Sequence, residues 1–182
     1  MVRISIPDSE MTNPHAFAQR LHAPTIMAAA GGFSSAVYRD SALSLREFEA
    51  ARLRVAEING CMICQQFRSA RDAGEMLAGS GARPTRCIAD NGPAPDEAFV
   101  AAIPQWRTSG VFSERERLAL EFAERFAEEP KVLAADDDFW ARMHACYSDS
   151  DIVDLSHCVA AWTGLGRVAH ILGFDSACSV SA

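Results

Sequence analysis

Apolar residues recur along this chain at spacings of three and four, the periodicity of helices with one buried face. The clearest apolar stripe lies between residues 44 and 60 and contains Leu45, Phe48, Ala51, Val55 and Ile58. No segment alternates apolar and polar residues with a period of two for long enough to indicate a sheet. The pattern therefore predicts an all-α fold.

Start and stop signals mark where these helices begin and end. Ser44 with Glu47, and Ser113 with Glu116, have the spacing of capping boxes, in which a serine oxygen and a glutamate satisfy the free amides of the first turn. Residues 148–151 carry a weaker version of the same signal. We predict a bundle of about seven to nine helices, at residues 16–21, 26–38, 44–58, 61–77, 96–103, 113–129, 139–147 and 148–163, with a final turn or two at 168–172.

A stretch rich in Pro, Gly and Asn, at residues 82–111, is interpreted as a connection between two helical halves. A shift of 104 positions aligns Ser44 with Ser148 and Gly60 with Gly164, which is consistent with an internal repeat. Because a chain of 182 residues is near the usual size of one domain, we predict a single domain over residues 1–182.

The overall charge narrows the classes of partner. A net charge of −7 and a pI near 5.2 leave no basic stripe for phosphates, so we expect no nucleic-acid partner. We expect no membrane partner either, since no apolar run reaches the roughly 18 residues of a membrane span. No signal peptide is recognisable, and the cysteines lack a regular disulfide spacing, so we expect a cytoplasmic protein.

The candidate chemistry lies at Cys61 and Cys64, which directly follow the helix-ending pair Asn59-Gly60. Two thiols three residues apart can form a reversible disulfide or half of a metal site. If one helix continues from Cys61, Arg68 falls on the same face as both cysteines and can place its guanidinium over the second sulfur. That cation would favour a thiolate but cannot transfer a proton at working pH.

Glu49 lies twelve positions before Cys61, a distance of about 18 Å along one straight helix. Only a fold-back at Asn59-Gly60 can bring this carboxylate to the thiols. Spacing alone therefore does not establish a relay between Glu49 and a cysteine.

The segment Glu49-x11-Cys61-x2-Cys64, embedded in residues 46–61, resembles the carboxymuconolactone decarboxylase family, in its alkylhydroperoxidase D-like (AhpD-like) branch. Residues 112–117 and 150–164 are also similar to this family, and the resemblance covers roughly residues 24–174. It implies an all-helical fold, commonly assembled as homo-oligomeric trimers or hexamers. It also implies a dithiol that reduces a hydroperoxide or a partner's disulfide and is restored by an external thiol reductant.

By the same resemblance, Cys64 is the attacking sulfur, Cys61 is the resolving sulfur and Glu49 feeds a proton relay. The helix dipole alone would instead favour Cys61 as the more acidic thiol. The branch usually has a histidine where this chain has Arg68, and an arginine cannot pass a proton on. Either Glu49 acts through water, His170 or His157 takes over the relay, or peroxidase activity is weak or absent.

Two other functions stay open at this point. A decarboxylase-like lyase could use Arg68 to hold the carboxylate of a lactone acid, while Glu49 or His170 moves a proton. A non-catalytic oligomer could use the dithiol for redox sensing or binding.

We expect no cofactor, because no aromatic stripe indicates a flat ligand. We also expect no metal. A zinc site would need two ligands besides Cys61 and Cys64, and the candidates are His144 with Cys146 or His157 with Cys158; neither pair has the spacing of a second Cys-x-x-Cys. The cysteines at 87, 146, 158 and 178 are interpreted as small core or surface residues.

Overall fold

The computed structural model describes residues 1–79 and 85–175, and within these ranges the secondary structure is entirely helical. The ten α-helices are α1 (Pro14–Leu21), α2 (Pro24–Asp40), α3 (Leu45–Ile58), α4 (Met62–Gln66), α5 (Ser69–Ala78), α6 (Glu97–Ala102), α7 (Glu114–Glu128), α8 (Pro130–Ala134), α9 (Asp137–Cys146) and α10 (Asp149–Ile171). Short 3-10 turns occur at Asp8–Glu10, Ile88–Asp90 and Ile103–Gln105. No helix in these ranges has the length and apolar character needed to cross a membrane.

The all-α prediction is confirmed, and most predicted helices are present. Capping boxes are formed at Ser44, Ser113 and Ser148, each serine oxygen accepting from the third amide of its helix. The short helix predicted in the connection is α6, whereas residues 82–84 of that connection lie outside the described residues. The count of ten exceeds the prediction because Pro130 starts a short helix as well as ending α7, and because one predicted helix is two.

Helix α3 lies at the centre of the fold and packs along α7 and against α10. Its apolar face contains Leu45, Phe48 and Val55, all fully buried in the main core. A second, smaller core lies on another side of α3, where Ala50 and Leu53 meet aromatic residues around Trp106. Because apolar contacts cover α3 on several sides, any polar side chain on it must find partners inside the protein.

The helix predicted over residues 61–77 is wrong as a single element. Helix α4 ends at Gln66 and α5 begins at Ser69, and the two residues between them have extended backbone angles. A continuous helix would pair the Arg68 amide with the Cys64 carbonyl, but that amide donates to the Asp72 carboxylate at 2.8 Å. The Cys64 carbonyl therefore has to be satisfied from elsewhere in the fold.

The final helix also differs from the prediction, since α10 runs through Gly164 without a break and continues to Ile171. Gly60 has a φ of +67°, which reverses the chain after α3, whereas Gly164 is an ordinary helical residue. Asn59 ties the end of α3 to α10 by donating to the Trp162 carbonyl at 2.9 Å. The two glycines aligned by the possible repeat thus have different roles.

Candidate functional site

Cys61 and Cys64 form a disulfide, with their Cα atoms 5.3 Å apart. Cys61 is the N-cap of α4, and its sulfur accepts from the Cys64 amide at 3.4 Å. Cys61 is 1% exposed, whereas Cys64 is half-buried. The two cysteines are therefore unequally exposed although their sulfurs are covalently joined.

A cavity of about 210 Å³ lies directly beside this disulfide. Cys64 lines the cavity, and Cys61 is not among its lining residues. The other walls are mainly apolar and come from α2, α3, α5 and α10, including Tyr38, Val55, Met76, Trp162 and Leu165. A small molecule in this space would meet the Cys64 side first.

Tyr38 and Phe67 give the cavity an aromatic edge, and their rings pack edge to face with centroids 5.5 Å apart. Burial raises the pKa of Tyr38 to about 12, so its hydroxyl stays protonated at neutral pH. The phenol is therefore a neutral group at this wall.

Glu49 and Arg52, three residues apart on α3, form a buried ion pair, and they are 1% and 2% exposed respectively. The Arg52 guanidinium also donates to the carbonyl of Cys64 and to the carbonyl of Phe67, both at 2.6 Å. The second Glu49 oxygen accepts from the Ser69 amide at 2.6 Å. One ion pair thus satisfies carbonyls at the end of α4 and an amide at the start of α5.

This arrangement explains why the chain breaks between α4 and α5. Helix ends leave backbone groups without intrahelical partners, and burying them unpaired costs about 1 to 3 kcal/mol each. Arg52 and Glu49 supply those partners from α3, so ending one helix and starting another carries no such cost here. The expected fold-back at Asn59-Gly60 does bring Glu49 to the cysteine segment, and Arg52 is the link between them.

Sequence reasoning missed Arg52, although its position carried a signal. Arg52 is four residues after Phe48 and three before Val55, so it falls on the buried stripe of α3 where an apolar residue is expected. A charge at such a position requires a buried counter-charge, and Glu49 lies one turn away. The buried position of Arg52 is hard to recognise from sequence, because the other arginines of residues 46–54 are typical of a solvated helix face.

Arg68 does not take the place expected for it. It lies in the extended link before α5, where its guanidinium pairs with Glu97 at 3.1 Å and donates to the carbonyls of Gln65 and Phe67. Its described hydrogen bonds go to these oxygens and not to a sulfur. The expectation that Arg68 shares a continuous helix face with the cysteines is wrong, because α4 ends before reaching it.

The two histidines proposed as substitutes for a relay residue lie in different surroundings. His157 is exposed, and its Nδ1 lies 2.8 Å from the Val153 carbonyl. His170 lies near the end of α10, with its ring against Gly60 and its Nδ1 2.9 Å from Asp175. Of these two, His170 is the one whose ring contacts the residue before Cys61.

The remaining cysteines have different environments. Cys87 and Cys146 are half-buried free thiols, and Cys178 lies outside the described residues. Cys158 donates its thiol proton to Asp154 at 3.3 Å, and burial raises the pKa of this thiol well above its usual range. Among the described residues there is no group of three or more His, Cys, Asp or Glu side chains that could hold a metal ion.

Comparison with known proteins supports the fold. No protein-family model matches the chain, and no curated protein matches it. It does match the crystal structure of a protein of unknown function from Agrobacterium tumefaciens, which has been described provisionally as the antioxidant defence protein AhpD. The TM-score is 0.64 at 23% sequence identity, with 100% of each chain covered. The chain therefore has an all-helical, AhpD-like fold.

Proposed function

We propose that this protein is a thiol-dependent redox enzyme whose Cys61/Cys64 pair cycles between dithiol and disulfide while reducing a hydroperoxide or the disulfide of a partner. The observation that carries this proposal is the unequal exposure of the two cysteines, since Cys64 lines a cavity whereas Cys61 is buried and does not line it. An attacking thiol must reach its substrate, whereas a resolving thiol needs only to reach its partner. This favours Cys64 as the attacking sulfur, in agreement with the resemblance and against the helix-dipole argument.

In the peroxide reaction, the Cys64 thiolate attacks the terminal peroxide oxygen. An S–O bond forms as the O–O bond breaks, which leaves a sulfenic acid on Cys64, and the departing alkoxide takes up a proton from solvent to become the alcohol. Cys61 then attacks the resulting sulfenic acid, forming the disulfide and releasing water. Two equivalents of an external thiol restore the dithiol.

In this proposal Glu49 and Arg52 are positioning residues. Both Glu49 oxygens already accept hydrogen bonds, from Arg52 and from the Ser69 amide, so this carboxylate is engaged in holding the backbone. Arg52 fixes the Cys64 carbonyl and keeps a permanent positive charge at the cavity wall. A proton relay through Glu49 stays a prediction, as does a role for Arg68 in holding an anion.

The test is to add one equivalent of cumene hydroperoxide to the reduced protein and to follow peroxide loss together with peptide mass. We expect the peptide containing both cysteines to lose the mass of two hydrogen atoms, since its two thiols give two protons and two electrons to the peroxide. C61S should accumulate a Cys64 sulfenic acid that dimedone traps, and C64S should consume no peroxide. C87S, which removes another half-buried thiol, is the matched control and should behave like the parent.

Peroxide consumption by C64S at the parental rate would contradict the assignment of this thiol. If the parent reacts with neither cumene hydroperoxide nor oxidised glutathione, and the double cysteine variant turns over a lactone acid, the lyase would be the better description. Assembly into a homo-oligomer is a separate proposal, and light scattering on purified protein would determine the number of subunits.

A further inference from the structure

His170 lies beside the turn that leads into Cys61. A Cβ atom built on Gly60 would lie 3.3 Å from the His170 Nε2, so the imidazole rests directly on the residue that precedes Cys61. The same part of α10 contributes Leu165, Gly166 and Ala169 to the cavity beside Cys64. His170 therefore lies against the turn that precedes the disulfide, and its sequence neighbour Ala169 lines the cavity.

Asp175 fixes the orientation of this ring. The chain turns back after α10 at Gly173, which has a φ of +74°, and the Phe174 amide donates to the Ala169 carbonyl at 2.9 Å. This turn places the Asp175 carboxylate, in a residue that is 7% exposed, 2.9 Å from the His170 Nδ1. A carboxylate accepts a hydrogen bond from Nδ1–H, so the neutral ring carries its lone pair on Nε2, the ring atom closest to the position of a Cβ built on Gly60.

The resolving step requires such a group, because a buried thiol is a poor nucleophile until it loses its proton. The cations near the dithiol cannot accept one, since Arg52 and Arg68 stay charged at working pH. Glu49 already accepts two hydrogen bonds. The His170 side chain is half exposed and can exchange its proton with solvent.

We propose that His170, oriented by Asp175, accepts the proton of Cys61 when this thiol attacks the oxidised Cys64. The proposal rests on the dithiol cycle proposed above. With a sulfenic acid at Cys64, the Cys61 sulfur forms the S–S bond, the S–O bond breaks, and the imidazolium returns the proton to the departing hydroxide as water. With a mixed disulfide at Cys64, an S–S bond forms as another breaks, the thiolate leaves, and the proton passes from the imidazolium to solvent.

The resolving step can be measured without any peroxide. An aromatic disulfide reagent, dithiobis-nitrobenzoate, releases one coloured thiolate when Cys64 attacks it and a second when Cys61 resolves the mixed disulfide. Stopped-flow absorbance with one equivalent of reagent separates the two phases. The background protein carries serine at three other cysteines, Cys87, Cys146 and Cys178, while buried Cys158 is retained.

We expect H170A to slow the second phase by at least about tenfold and to leave the first phase within about twofold, as for loss of a general base. Added imidazole should restore the second phase, which loss of a purely structural side chain would not permit. D175N should slow the second phase less than H170A does. H144A is the matched control, because the Nδ1 of His144 also lies near an aspartate, Asp149, at 3.5 Å, and neither residue lines the cavity beside Cys64. It should change neither phase.

An unchanged second phase in H170A, or a slowed one that imidazole does not restore, would overturn the role of His170. If the second phase depends on His170 but the parent consumes no peroxide, this inference stands and the peroxidase proposal fails. If peroxide is consumed but the rate of the second phase does not depend on His170, the peroxidase proposal stands and this inference fails. No second phase in the parent would contradict both.

Discussion

Replacing Arg52 by methionine tests the buried ion pair that joins α3 to the cysteine segment. Methionine is similar in length and apolar, so the change removes the charge with little loss of packing. It leaves the Glu49 carboxylate buried without its counter-charge. It also removes the donors to the carbonyls of Cys64 and Phe67.

The magnitude follows from these losses. Removing one partner of a buried ion pair costs about 3 to 5 kcal/mol, most of it from the charge left behind. The two carbonyls that lose their donors add to this cost. The addition is small at Cys64, because this residue is half-buried and lines the cavity, where solvent can replace the lost donor. We therefore expect R52M to lower the free energy of unfolding by about 4 kcal/mol, a large part of the 5 to 15 kcal/mol typical of a folded domain.

A second variant separates charge from packing. E49Q/R52M removes both charges, and the glutamine oxygen can still accept from the Ser69 amide. Because no buried charge is left unpaired, this double variant should regain roughly half of the stability that R52M loses.

The free energies of unfolding of R52M and E49Q/R52M are measured by urea unfolding followed by circular dichroism, on the fully reduced and then on the fully oxidised protein. R39M is the matched control, since Arg39 pairs with Asp40 on the surface and both side chains are about half exposed. Its unfolding midpoint should equal that of the parent. An R52M midpoint equal to the parental one, or a double variant less stable than R52M, would refute this account of the ion pair.

Three further outcomes are expected. R68Q should change the rate of Cys64 modification by less than about threefold, because its guanidinium pairs with Glu97 and not with sulfur; a larger loss in the stopped-flow assay would revive its role as an anion anchor. Tyr38 has a folded pKa of about 12 against an ordinary value of 10.0, so the unfolded chain loses this proton first as the pH rises. The stability it contributes is present below pH 10 and should be lost as the pH approaches about 12, by about 2 to 3 kcal/mol in thermal or urea unfolding, and Y38F should lack this part of the slope. G60A should destabilise the fold by about 1 to 2 kcal/mol because of its φ of +67°, and its new Cβ should displace the His170 ring, visible as a shifted imidazole resonance; unchanged stability and resonance would contradict the contact.

The sequence was sufficient for features that depend on neighbouring residues. Ser44 and Ser113 mark helix starts because a capping box needs only a serine and a glutamate three residues apart. Gly60 marks the end of α3 because its backbone geometry is strained for other residues. The dithiol pair is likewise local, and its disulfide joins residues three positions apart.

The tertiary structure decided what depends on partners distant in sequence. In the sequence, Arg52 is hard to distinguish from the other arginines of α3. In the folded protein it is buried by the surrounding elements, so its charge has to be neutralised by Glu49. The break between α4 and α5 follows from the same pair, because the groups that satisfy the helix ends come from α3. His170 lies more than one hundred residues from Cys61 in sequence, and only the docking of α10 on the Asn59-Gly60 turn brings its ring there. Local signals encode helix boundaries, whereas buried charge and proton-transfer geometry depend on which elements enclose a residue.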